Sequence, residues 1–163
     1  MAAFGFLYVA FGLPAFLLGP HHSHAGSALF SGATFAFLWF LASLRSRLIR
    51  YDPDGFFASV VVLGGATCIA LQTANLILGR PQLAAPTAAC AATVIFGSSL
   101  AALRARKVPK WFGRAGLGGG VAVLGVGLAE GAANWTLIGH TVFASTLGFM
   151  IWVLVTTTYL LRR

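Results

Sequence analysis

Arg104-Ala105-Arg106-Lys107-Val108-Pro109-Lys110-Trp111-Phe112-Gly113-Arg114 is the stretch on which the reading of this chain turns. Five bases crowd into it, yet the residues before it, 83–103, carry no charge, and those after it, 115–133, carry only Glu130. Basic clusters that separate long uncharged apolar runs mark the cytoplasmic loops of a membrane protein, because Lys and Arg are retained on that side. Two further clusters repeat the pattern: Arg45/Arg47/Arg50 and Arg162/Arg163. Together the three hold ten of the eleven Lys and Arg residues, and Arg80 alone stands apart.

Composition agrees. Apolar residues make up 58% of the 163 and charged residues 9%, with mean hydropathy +0.87, whereas soluble domains carry roughly 25% charge. The net charge of +8 does not point to nucleic acid, since the bases flank apolar runs instead of lining a solvated face. Anionic lipid headgroups are their expected partner. Cys68 and Cys90 lie inside apolar runs without metal-ligand or disulfide spacing and read as small core residues.

A span needs about 20 mostly apolar residues, and six segments qualify: 2–18, 27–44, 56–78, 83–103, 113–133 and 137–161. The expected fold is an all-α polytopic integral membrane helical bundle, one transmembrane domain over 1–163 with six transmembrane helices, N-in/C-in. This puts all three basic clusters inside and only Arg80 outside. An alternative takes 2–18 as the apolar region of a signal peptide, with Ser23-His24-Ala25 as its cleavage site; five helices then remain, oriented the same way. The lack of Lys or Arg ahead of that segment favours a retained helix. In Tyr51-Asp52-Pro53-Asp54-Gly55, Asp52 is expected to cap helix 3, with Pro53 at its first position. Val108-Pro109-Lys110 reads as a similar start to helix 5. An echo between 42–47 and 101–106, each followed by a Pro-started helix, raises the prospect of repeated hairpins.

Chemistry is sparse. Glu130 is the one acid in an expected span, and His140, Asn75 and Gln72 approach the same outer end. These four form the candidate ion or small-ligand site, because ionisable groups in a membrane are costly and tend to serve function. His21, His22 and His24 share an outer loop and are a weaker candidate metal cluster. Gly116-x3-Gly120 and Gly127-x3-Gly131 allow close helix approach, within the chain or between copies. Hydrolase, zinc-protease and nucleotide-binding motifs are all missing. No enzyme activity and no cofactor are therefore expected.

Three stretches carry a resemblance: Phe37-Leu-Trp-Phe-Leu-Ala-Ser-Leu-Arg-Ser-Arg47 with the following Asp-Pro-Asp-Gly, the 102–113 segment, and Ile151-Trp-Val-Leu-Val155 ahead of the terminal Leu-Leu-Arg-Arg. From Thr34 onward the chain resembles a family of small six-helix membrane proteins of actinobacteria whose function is unknown. The resemblance implies the fold and a bacterial plasma (inner) membrane; it supplies no catalytic residues. Function is expected to be that of a non-enzymatic accessory subunit or assembly partner of a larger membrane complex. The alternative is a small oligomeric transporter or channel.

The charge pattern makes a direct topological prediction. A cysteine placed at Ser46 or Ala105 should resist an impermeant thiol reagent in intact cells, and one at Ser23 should react. The reverse pattern, or an external C-terminus, would overturn the orientation.

Overall fold

The computed structural model describes residues 3–18, 24–78, 83–105, 108–132 and 138–161; within these, the side chains of 76–77, 84, 130–132, 138–144 and 160–161 are not described. Every regular element in it is an α-helix: α1 (Ala3–Leu18), α2 (His24–Leu48), α3 (Phe56–Leu78), α4 (Ala84–Arg104), α5 (Lys110–Ala132) and α6 (Ile138–Leu161). The fold class is all-α. Four stretches are long and apolar enough to cross a membrane: His24–Leu48, Phe56–Asn75, Ala85–Arg104 and Lys110–Ala129. Ala3–Leu18 is shorter, as is Ser145–Tyr159, the apolar part of α6 among the described residues.

The boundaries differ from expectation mainly at α2 and α5. Helix α2 starts at His24 and continues to Leu48, so Arg45 and Arg47 ride on its last turn instead of in a loop. Leu44 and Leu48 are both buried and keep one helix face apolar through this turn, and cations are favoured at a helix C-terminus. Helix α5 starts at Lys110, directly after Pro109, whose carbonyl accepts the Phe112 N–H at 3.0 Å.

The chain forms two compact units, Met1–Ser43 with Val153–Arg163, and Leu44–Trp152. In the first, α1 turns Gly5, Tyr8, Gly12 and Ala15 inward. Tyr8 meets Phe37 at 4.9 Å between ring centroids, and Phe4 stacks on Trp39 at 5.5 Å. Phe11 covers Gly32. Residue numbers rise on α1 as they fall on α2, so the pair is antiparallel. Gly5 lies against Thr157, leaving no room there for a Cβ.

In the second unit α4 is central, packed against both α3 and α5. Gly64 faces Thr93, Gly97 faces Val61, and the Cys68 thiol reaches the Thr87 carbonyl at 3.8 Å. That register is antiparallel and puts Cys68 within about one residue, roughly 2 Å, of the level of Cys90. Both cysteines are free.

The α2–α3 turn is built around a buried carboxylate. Asp52 is 1% exposed. Its Oδ2 accepts the Phe57 N–H at 2.6 Å and the Ala58 N–H at 3.4 Å, while its own N–H donates to Leu48 O at 2.9 Å. Asp52 thus ends α2 and caps α3 at once. Pro53 is not the first residue of α3, as the sequence led us to expect: α3 begins at Phe56, and 53–54 form an intervening turn. Gly55 closes the turn with φ +67°, a backbone that side chains disfavour, and its carbonyl accepts the first helical bond, from Ser59 N–H at 2.9 Å. Beside it Arg104, at the end of α4, lies over the Phe57 ring with 4.6 Å from Cζ to the centroid, a cation–π contact. Ala105 is buried, so shielding alone would protect a cysteine there. Ser46 is exposed and reports membrane side more directly.

Replacing Asp52 with Ala should lower stability in detergent by about 1–2 kcal/mol, the usual worth of a cap. Asp54→Ala, at an exposed position of the same turn, should have little effect on the thermal transition. Equal transitions for the two variants would show that the carboxylate holds nothing in place.

Candidate functional site

The four expected polar site residues are only partly accounted for. Gln72 and Asn75 lie three residues apart on α3, hence on neighbouring positions of one face, and both are half-buried. Glu130 falls in the last turns of α5 and His140 in the first turn of α6, but their side chains lie outside the described residues, so the expected Glu130–His140 pairing does as well. The structure brings none of the four together in a described contact. Of the histidine cluster, His24 opens α2 and is exposed, whereas His21 and His22 lie outside the described residues. Among the described residues, no group of three His, Cys, Asp or Glu is placed to hold a metal ion.

Helix α5 is more informative, because its glycines separate into two faces. On one, Gly113 lies under Leu103, Gly116 against Ser99, Gly120 under the Phe96 ring and Gly127 against Ala88. This stripe is where α4 and α5 approach most closely, antiparallel, and a Cβ at Gly120 would stand 2.8 Å from Phe96. Gly116, Gly120 and Gly127 therefore serve packing within the chain; the surroundings of Gly131 lie outside the described side chains. On the other face, Gly118, Gly119 and Gly125 have nothing among the described residues within 4 Å of the place a Cβ would occupy. Ala115, Ala122 and Ala129 share that face and are exposed, as is Trp111 at its start. The order 111, 115, 118, 122, 125, 129 alternates steps of four and three, which is the spacing of a helix seam.

Between α4, α5 and α6 lies a recess of about 150 Å³, walled by Ile95, Val123, Val126, Gly148 and Trp152. It lies midway along α5, since Val123 is thirteen residues after Lys110, roughly 20 Å along the axis. Behind its Trp152 wall, two polar atoms are buried with no hydrogen-bond partner among the described residues: Trp152 Nε1, 3.6 Å from where a Gly116 Cβ would be, and Ser99 Oγ. A Cβ at Gly116 would collide with Ser99 Oγ, so the missing side chain is what makes room for both groups.

Reading the sequence alone passed over this pair. The available signal was Trp152 itself, near the middle of α6. Membrane tryptophans favour the interface, where the indole N–H finds a partner, so one midway along an apolar helix poses the question of what its N–H meets.

Comparison with protein-family models, with curated proteins and with solved structures finds no match.

The two faces of α5 should respond oppositely to bulk. Gly116→Val and Gly127→Val should each destabilise the purified chain by about 1–3 kcal/mol through overpacking against α4. Gly118→Ala and Gly125→Ala should be neutral or stabilising by up to about 1 kcal/mol, because Ala is the better helix former. Thermal melts of the four variants in one detergent decide it, and equal losses on both faces would contradict the division.

Proposed function

We propose that this chain is a non-enzymatic, multi-pass protein of the bacterial plasma membrane that serves as an accessory subunit or assembly partner of a larger membrane complex. In this reading all six helices span, with both termini inside. The four span-capable helices support the membrane assignment. The six-span count, the orientation and the bacterial membrane rest on the clustered bases and on the family resemblance. Arg45 and Arg50 on α2 and its exit, with Lys110 and Arg114 on α5, are exposed and would face anionic headgroups on the inner side.

The observation that carries the reading is the outward face of α5. A glycine inside a helix costs about 1 kcal/mol relative to alanine, and among the described residues nothing lies within 4 Å of a Cβ at Gly118 or Gly125 to offset it. In lipid, helices associate by close backbone approach, not by burying apolar bulk. A face of Gly and Ala at seam spacing suits a transmembrane helix of another polypeptide.

Purification in mild detergent followed by native mass measurement tests this. The wild-type chain should carry a second polypeptide in fixed stoichiometry. Gly118→Leu/Gly125→Leu should lose that polypeptide while keeping its own thermal transition. A second copy of the same chain, with ion flux in liposomes, would shift the reading to the oligomeric transporter. A bare monomer for both proteins would remove the support altogether.

A further inference from the structure

We propose that Cys68 and Cys90 form a dithiol site across the α3–α4 seam, which a lipid-soluble quinone oxidises to an internal disulfide. This goes beyond the accessory-subunit reading and needs no partner polypeptide. It rests on α3 and α4, both long and apolar enough to span, lying in the bilayer.

The two cysteines are far apart in sequence, and the antiparallel hairpin brings them level. Gly64 and Cys68 are four residues apart on α3, while Thr87, Cys90 and Thr93 follow at steps of three on α4, so each set forms one stripe. The stripes face one another. The place of a Gly64 Cβ is 3.1 Å from Thr93 Cγ2 and 3.4 Å from the Cys90 carbonyl, and Cys68 Sγ is 3.8 Å from the Thr87 carbonyl. Packed helix axes stand about 8–10 Å apart, with Cα atoms about 2.3 Å from each axis. Facing Cα atoms are then about 4–6 Å apart, and a disulfide spans about 4.4–6.8 Å. Among the described residues, Cys90 is the titratable group close enough to act on the Cys68 thiol electrostatically.

The neighbouring hydroxyls leave the sulfurs alone, because Thr87 and Thr93 donate to the Leu83 and Ala89 carbonyls of their own helix at 2.6 and 2.9 Å. Cys68 is 1% exposed and Cys90 half-buried, so the open approach is to Cys90. Depth selects the oxidant. Cys68 is twelve residues after Phe56 and Cys90 fourteen before Arg104, about 18 and 21 Å from the end of the hairpin where those two residues lie. The hydrocarbon core is about 30 Å thick, and charged oxidants are kept from such a level by the cost of desolvation. A quinone is neutral, dissolves in lipid and takes up two electrons with two protons. Both S–H bonds break, one S–S bond forms, and the two electrons and two protons reduce the quinone to its hydroquinone. Reactants and products are all neutral, so no charge is left in the apolar seam.

The test uses the full chain, reduced and held without oxygen in phospholipid nanodiscs. The probe is duroquinone, whose ring carbons all carry a methyl group or an oxygen and so resist addition of a thiol. The wild-type chain should lose the mass of two hydrogens, form no linked dimer and yield a single hydroquinone per chain. A thiol reductant should then restore both cysteines. Cys68→Ser and Cys90→Ser should each keep the remaining thiol and yield no hydroquinone; Cys68→Ala replaces the first should it fail to fold. Ferricyanide, a charged oxidant confined to water, should leave the wild-type thiols intact over the same interval. Thiols that survive duroquinone, linked dimers in place of the internal bond, or a single-cysteine variant as active as the wild type would each overturn the proposal. Oxidation by ferricyanide as fast as by duroquinone would also overturn it, since that result places the pair in water.

Discussion

Close approach of helix backbones is the constraint on which the Leu44–Trp152 unit depends. Lipid is as apolar as leucine, so a leucine gains little by leaving it, and helices adhere where their backbones can draw near. Helix α4 does this on both sides: Gly97 and Gly64 admit the side chains between it and α3, and Gly113, Gly116, Gly120 and Gly127 admit those between it and α5. Ser98 shows how such a helix carries hydroxyls into an apolar interior. Its Oγ donates to the backbone carbonyl of Val94 at 2.8 Å and lies 2.9 Å from that of Ile95, so it places no demand on a neighbour. Ser99, one residue on, makes no such bond among the described residues.

Much of this was legible in the chain. Six helices follow from six apolar runs separated by turn residues and charge, and α3 occupies the expected residues because a turn with Asp, Pro and Gly leaves little freedom in where it starts. The extension of α2 was not visible, since Arg45 and Arg47 look like loop residues until the buried Leu44 and Leu48 show that the helical face continues. Asp52 was recognised as a cap, but its reach across a turn depends on a positive φ at Gly55, a backbone choice that a list of residues does not disclose.

The glycines of α5 show why the site was harder to read than the fold. Their spacing announces close packing, yet G-x3-G motifs look alike whether the partner is the neighbouring helix or another protein. Only geometry separates Gly116, Gly120 and Gly127 from Gly118 and Gly125. Charge was the clearest signal at the sequence level and led to Glu130 and His140. The recess has no charge, so no search by titratable residue would find it. Trp152 and Ser99 become noticeable only when their hydrogen-bonding groups are counted.

The Asp52 cap has a consequence for how this end of the protein meets lipid. A helix N-terminus is ordinarily an inviting seat for phosphate, because its free amides and dipole favour an anion. At α3 that seat is taken by the chain's own carboxylate, bonded to the Phe57 and Ala58 amides. In the proposed orientation, headgroups would engage this edge through guanidinium and ammonium groups on long side chains, which sense charge density more than molecular shape. Recruitment there would then follow how acidic the leaflet is, not which phospholipid supplies the acidity, and would fade as ionic strength rises.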